Sequence, residues 1–80
     1  MHIIDLPERN KMVVVKIVEL IGSSLKSWED AAQNVLKEAS DTIREIKSID
    51  IKNFTAKVKN NKIAEYRVVV HLAFVVEDTY

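Results

Sequence analysis

Cysteine is absent from this 80-residue chain, and glycine and proline occur once each. Without thiols, a disulfide-stapled secreted scaffold and a thiolate zinc site are excluded. A single glycine cannot build a glycine-rich phosphate loop. Long apolar runs are also lacking. Met12–Val15 and Val68–Val70 fall far short of the ~20 residues needed to cross a bilayer as a helix. Neither sign of charge dominates, since 12 Lys and Arg balance 12 Asp and Glu. The net positive charge usual in nucleic-acid modules is therefore missing, and neither a nucleic-acid nor a membrane partner is expected. The same balance removes long-range repulsion between copies of the chain.

The residues that are present describe one folded domain. Hydrophobic residues make up 48% of the chain, too many for a disordered segment of low net charge. A chain this short buries only about 60–65% of its unfolded surface. Such a composition often completes its core by self-association.

Met1–Lys11 is too short, and too acidic around Asp5 and Glu8, for a secretory signal. It reads as an N-terminal extension (residues 1–11) ahead of one domain (residues 12–80), and the default location is cytoplasmic. Met12–Ile21 is β-branched and almost continuously apolar, as in a strand covered on both faces. Gly22-Ser23-Ser24 is expected to end it in a turn. Ser27–Lys47 carries a helix pattern. Ser27 is a good N-cap, with Asp30 three residues on. Trp28, Ala31, Ala32, Val35, Leu36, Ala39, Ile43 and Ile46 form one apolar stripe. Trp28 reads as a core anchor on that stripe.

Ser48–Lys59 alternates, but its phase changes. Ile49 and Ile51 are apolar at odd positions, whereas Phe54, Ala56 and Val58 are apolar at even ones. A bulge near Lys52-Asn53 keeps all five on one face. Asn60-Asn61 reads as a tight turn, because Asn tolerates positive φ. Lys62–Glu77 follows as a long strand. Its even positions from Ala64 to Val76 are apolar throughout. Its odd positions mix Glu65, Arg67 and His71 with Val69, Ala73 and Val75.

The fold class is thus α+β, in the order β-α-β-β. A three-stranded antiparallel sheet, with the last strand in the middle, packs on one long helix. One helix covers one face. The apolar residues on the other face need a second subunit or a ligand.

Catalytic patterns are missing. The histidines are His2, in the extension, and His71, inside a strand. There is no HExxH and no nucleophile elbow, so the chain reads as a non-enzyme with no metal site. Lys52, Lys57, Lys59 and Lys62 form a basic hairpin. It reads either as an anion-attracting patch or as an edge strand protected by lysines.

The stretch Glu19–Ile46, ELIGSSLKSWEDAAQNVLKEASDTIREI, resembles the dodecin family. The family pattern is a first strand ending in Glu-Leu-x-Gly, then Ser-Trp-Glu at the helix start. An Ala-rich helix follows, closing on Ala-x-x-Thr-Ile-Arg. The later stretch Lys62-Ile63-Ala64-Glu65-Tyr66-Arg67-Val68 is similar to the start of the family's third strand. The resemblance runs from about Val13 to Glu77 and leaves out the extension.

This resemblance implies a small cytoplasmic protein of bacteria or archaea that assembles as a hollow homo-oligomer of twelve subunits. It also implies binding of a flavin (FMN, FAD or riboflavin) for storage or sequestration, without turnover. In the family a Trp just after the helix stacks on the flavin ring, and a Gln on the third strand bonds the ring edge. Ser48 and Arg67 occupy these positions here, so they are the candidate cofactor-binding residues, expected to line one cleft. Serine has no π face, so flavin is expected to bind weakly. Arg67 suits an anion. Three readings stay open: an altered flavin site, a site for another ligand such as an anion or a selenium species, and a structural homo-oligomer with a vestigial site.

Overall fold

The structure, a computed structural model, describes residues 12–79. It contains strand β1 (Met12–Ser24), helix α1 (Trp28–Ala39), strand β2 (Ile46–Lys59) and strand β3 (Lys62–Thr79). The extension Met1–Lys11, with His2, lies outside the described residues. Both sheet neighbours are antiparallel, and the strand order is β1-β3-β2. The β-α-β-β order and the central place of the last strand agree with the sequence reading.

Helix α1 begins as its capping residues dictate. The Ser27 hydroxyl accepts from the Asp30 N–H at 2.9 Å. The Asp30 carboxylate does not reach back to Ser27 as in a full capping box. It accepts instead from the Ser24 hydroxyl at 2.6 Å, and that hydroxyl accepts from the Lys26 N–H at 2.8 Å. Ser24 is buried with both bonds made, so its burial carries no unsatisfied polar group.

The helix ends earlier than the apolar stripe suggests, at Ala39 rather than Lys47. Ser, Asp and Thr side chains compete for backbone groups and weaken a helix interior. Ser40-Asp41-Thr42 puts three of them in a row. The Ser40 hydroxyl donates to the Lys37 carbonyl at 3.0 Å. Glu45, at φ 47°, then turns the chain into β2. Ile43 and Ile46 still pack against the core from outside the helix.

Strand β1 runs longer than expected, through Gly22 and Ser24. Gly22 faces the helix, and a Cβ there would lie 2.5 Å from the Ala31 carbonyl oxygen and against Val35. The glycine permits close approach of helix and strand, and it does not end the strand.

The core is a thin contact. Ala31, Val35 and Ala39 of α1 meet Val68, Val70 and Leu72 of β3. Pairing shifts by one residue between Ile51 and Asn53. This is the expected bulge, and it keeps Ile49, Ile51, Phe54 and Ala56 opposite the helix-facing residues of β3. Phe54 and Val58 nevertheless remain 60% and 63% exposed, because the short helix does not extend over them. The radius of gyration is 17.8 Å, against about 12 Å for a compact chain of this length. The protomer is a long, thin unit with little interior of its own.

Candidate functional site

The face of the sheet away from the helix is built of rows, each crossing the strands in register. Alternation of side chains sets its membership. Toward one end lies Ser48–Ala73–Ile17, then Asp50–His71–Glu19, then Asn53–Val69–Ile21, then Thr55–Arg67–Ser23. Beyond these, where β1 has ended, come Lys57–Glu65 and, at the turn, Lys59–Lys62.

Two of these rows carry ion pairs. His71 Nε2 lies 3.3 Å from Glu19 Oε1, while Asp50, on the other flank, pairs with Lys52 at 3.2 Å. His71 thus has one side-chain partner, Glu19 across the strand pair, as a structural or interfacial residue would. Arg67 Nε donates to Glu65 Oε2 at 3.4 Å, a long contact, with the arginine side chain 45% exposed. No other ion pair of Arg67 occurs among the described residues.

The residues flanking Arg67 are fixed from behind. Trp28 Nε1 donates to the Thr55 carbonyl at 2.7 Å, and Asn34 Nδ2 donates to the Ser23 carbonyl at 2.9 Å. Both donors come from α1. Each ties the helix to a backbone carbonyl of an outer strand of the sheet. Trp28 is also held edge-on by Tyr66 and Phe54, with ring centroids at 4.9 and 6.0 Å. It packs against the core, as an anchor rather than a platform.

Ser48 and Arg67 lie on the same face but not together. Ser48 pairs with Ala73, six residues along β3 from Arg67, a separation of about 20 Å at ~3.4 Å per residue. A cleft lined by both therefore has to be formed between two chains. Ser23, Thr55, Trp28 and Asn34 were not singled out around Arg67 by the sequence reading. Among the described residues, no group of three or more His, Asp or Glu is arranged to hold a metal ion. No helix among them is long and apolar enough to cross a membrane.

With this geometry in view, the comparisons agree. The dodecin family model matches residues 14–77. A dodecin of Thermus thermophilus is 33% identical over 66 residues, covering 82% of this chain and 96% of that protein. The crystal structure of a mutant of T. thermophilus dodecin superposes with a TM-score of 0.79 at 32% identity, covering 82% of this chain and 98% of that one. A Streptomyces coelicolor dodecin superposes equally well, at 0.79, with 22% identity and 81% and 93% coverage; that likeness shows the fold alone. The chain belongs to the dodecin family. Membership supports a small flavin-binding oligomer role.

Proposed function

We propose that this protein is a cytoplasmic, non-catalytic homo-oligomer of twelve subunits that binds a small ligand, and that its flavin site is weakened. Self-association is carried by the β1 side of the protomer. Val14, Val15, Ile17 and Ile21 are 49–69% exposed along an outer strand, and Leu25 is 81% exposed. A long apolar edge strand left uncovered is a site for pairing with another chain. Beside it, a groove of about 780 Å³ between β1 and α1 is lined by Val18, Leu20, Val35, Ala39 and Ile43.

The weakened flavin site rests on Ser48 and Arg67. A hydroxymethyl group at position 48 forfeits ring stacking, by analogy with base–aromatic stacking about 1–3 kcal/mol per ring. Arg67 has donors only and cannot replace the donor–acceptor pair of a Gln amide. Titration of riboflavin tests this reading. Weak, incomplete quenching of flavin fluorescence is expected, and tight, near-complete quenching would contradict it.

The Arg67–Glu65 pair favours a second reading, a structural assembly with a vestigial site. In that case Arg67→Ala weakens assembly and leaves ligand retention unchanged. The remaining reading, another ligand such as a selenium oxyanion or other anion, draws on the exposed part of the same guanidinium.

A further inference from the structure

The basic charge of this neutral chain is not spread evenly over the open face. Alternation along β2 places Lys59 on the side of Lys57, so Lys57, Lys59, Lys62 and Arg67 gather at one end of that face. Glu65 is the one carboxylate paired within that end. Lys59 stands directly opposite Lys62, and like charges directly across an antiparallel pair are destabilising. The Arg67 guanidinium has five N–H donors. Among the described residues it makes one hydrogen bond, the long one to Glu65 through Nε.

The geometry points to an oxyanion site at this end of the face, centred on the Arg67 guanidinium and taking phosphate or a group of the same shape and charge. It rests on reading the open face as ligand-bearing, and it names the chemistry the altered position now favours. The two terminal nitrogens of Arg67 form the planar fork that matches two oxygens of a phosphate. The Thr55 and Ser23 hydroxyls stand on either side in the same row and are neutral donors for the remaining oxygens. Their backbones are held by Trp28 and Asn34 of α1, so the row is fixed before a ligand arrives. Lys57 and the Lys59–Lys62 pair add positive charge that an anion relieves. The adjacent row, Asn53–Val69–Ile21, carries two apolar side chains, and Ile21 is 69% exposed. It offers a resting place for the uncharged body of a phosphate ester.

The test is calorimetric titration of the full chain with inorganic phosphate, at low salt in a phosphate-free buffer. Saturable binding is expected. Arg67→Gln is expected to lower the phosphate affinity by about 10- to 100-fold, the loss of charge-assisted hydrogen bonds. Arg67→Lys keeps the charge but loses the fork, so an intermediate loss of about tenfold is expected. The lysine variant also keeps the proposal testable if the glutamine variant fails to fold. No phosphate binding by the unaltered chain, or equal binding by folded Arg67→Gln or Arg67→Lys protein, overturns the assignment. FMN and riboflavin separate the two sources of the oxyanion. FMN binding about tenfold tighter than riboflavin, with the preference lost in Arg67→Gln, identifies a phosphate ester. Phosphate binding without that preference identifies a free oxyanion. Riboflavin quenching and solution mass on the same samples report on the flavin and assembly readings separately. Failure of either is therefore distinguishable from failure of the oxyanion site.

Discussion

The indole Nε1 of Trp28 donates to the backbone carbonyl of Thr55 at 2.7 Å. This bond joins the first turn of α1 to the outer edge of β2, and Thr55 is the register partner of Arg67. One helix side chain thus ties down the backbone of the row that carries the arginine.

Trp28→Phe removes this donor and keeps most of the aromatic packing on Tyr66 and Phe54. A loss of about 1–2 kcal/mol in stability is expected, from one net hydrogen bond plus imperfect packing. Urea unfolding under conditions that hold the assembly state fixed measures it. An unchanged midpoint would mean that the bond contributes nothing.

Gly22→Ala brings a methyl group to 2.5 Å from the Ala31 carbonyl oxygen. Overpacking of this kind costs about 1–3 kcal/mol. Adding Val35→Ala removes the side-chain part of the clash and leaves the backbone part. Thermal melting of the double variant should therefore show no recovery of the parent stability.

Glu45 and Asn61 hold positive φ, at 47° and 62°. Glycine adopts this region without the steric cost of a Cβ. Glu45→Gly is expected to be neutral or stabilising by up to about 1 kcal/mol, because relief of left-handed strain outweighs the added unfolded-state entropy. Asn61→Val should destabilise by at least about 1 kcal/mol, since a β-branched residue is an outlier in that conformation. Chemical denaturation ranks the two.

Ser48→Trp restores a ring just after the bulge at the start of β2. If the oligomer presents position 48 to a flavin, affinity should rise by about tenfold or more, the lower range of ring stacking. Fluorescence quenching on flavin titration reads this directly. No gain in a correctly assembled variant would show that the pocket lies elsewhere.

Much of this fold is legible in the residues. The Ser27 cap, the change of phase at Lys52-Asn53 and the Asn60-Asn61 turn each act locally, and each is seen in the structure. The helix end was less legible, because Ile43 and Ile46 continue the apolar stripe after the helix has stopped. Ile43 reaches the core from the connection after the helix and Ile46 from the start of β2, and spacing alone does not separate these cases from a longer helix. The neighbours of Arg67 were hidden by register. Counting back from Asn60-Asn61 sets Phe54 opposite Arg67. An irregularity between Lys57 and Val58 moves Thr55 there instead. A small residue such as Ala64 gives no sequence signal of the extra β3 position that causes the shift. The separation of Ser48 from Arg67 was illegible for the same reason, since it depends on the pairing of both strands with β3.

Assembly underlies the proposed ligand site, because a cleft containing both Ser48 and Arg67 would require two chains. Multi-angle light scattering of the purified protein at micromolar concentration tests it most directly. One stable species of about 110 kDa, twelve chains of 9.2 kDa, is expected. A stable monomer of 9.2 kDa would contradict it.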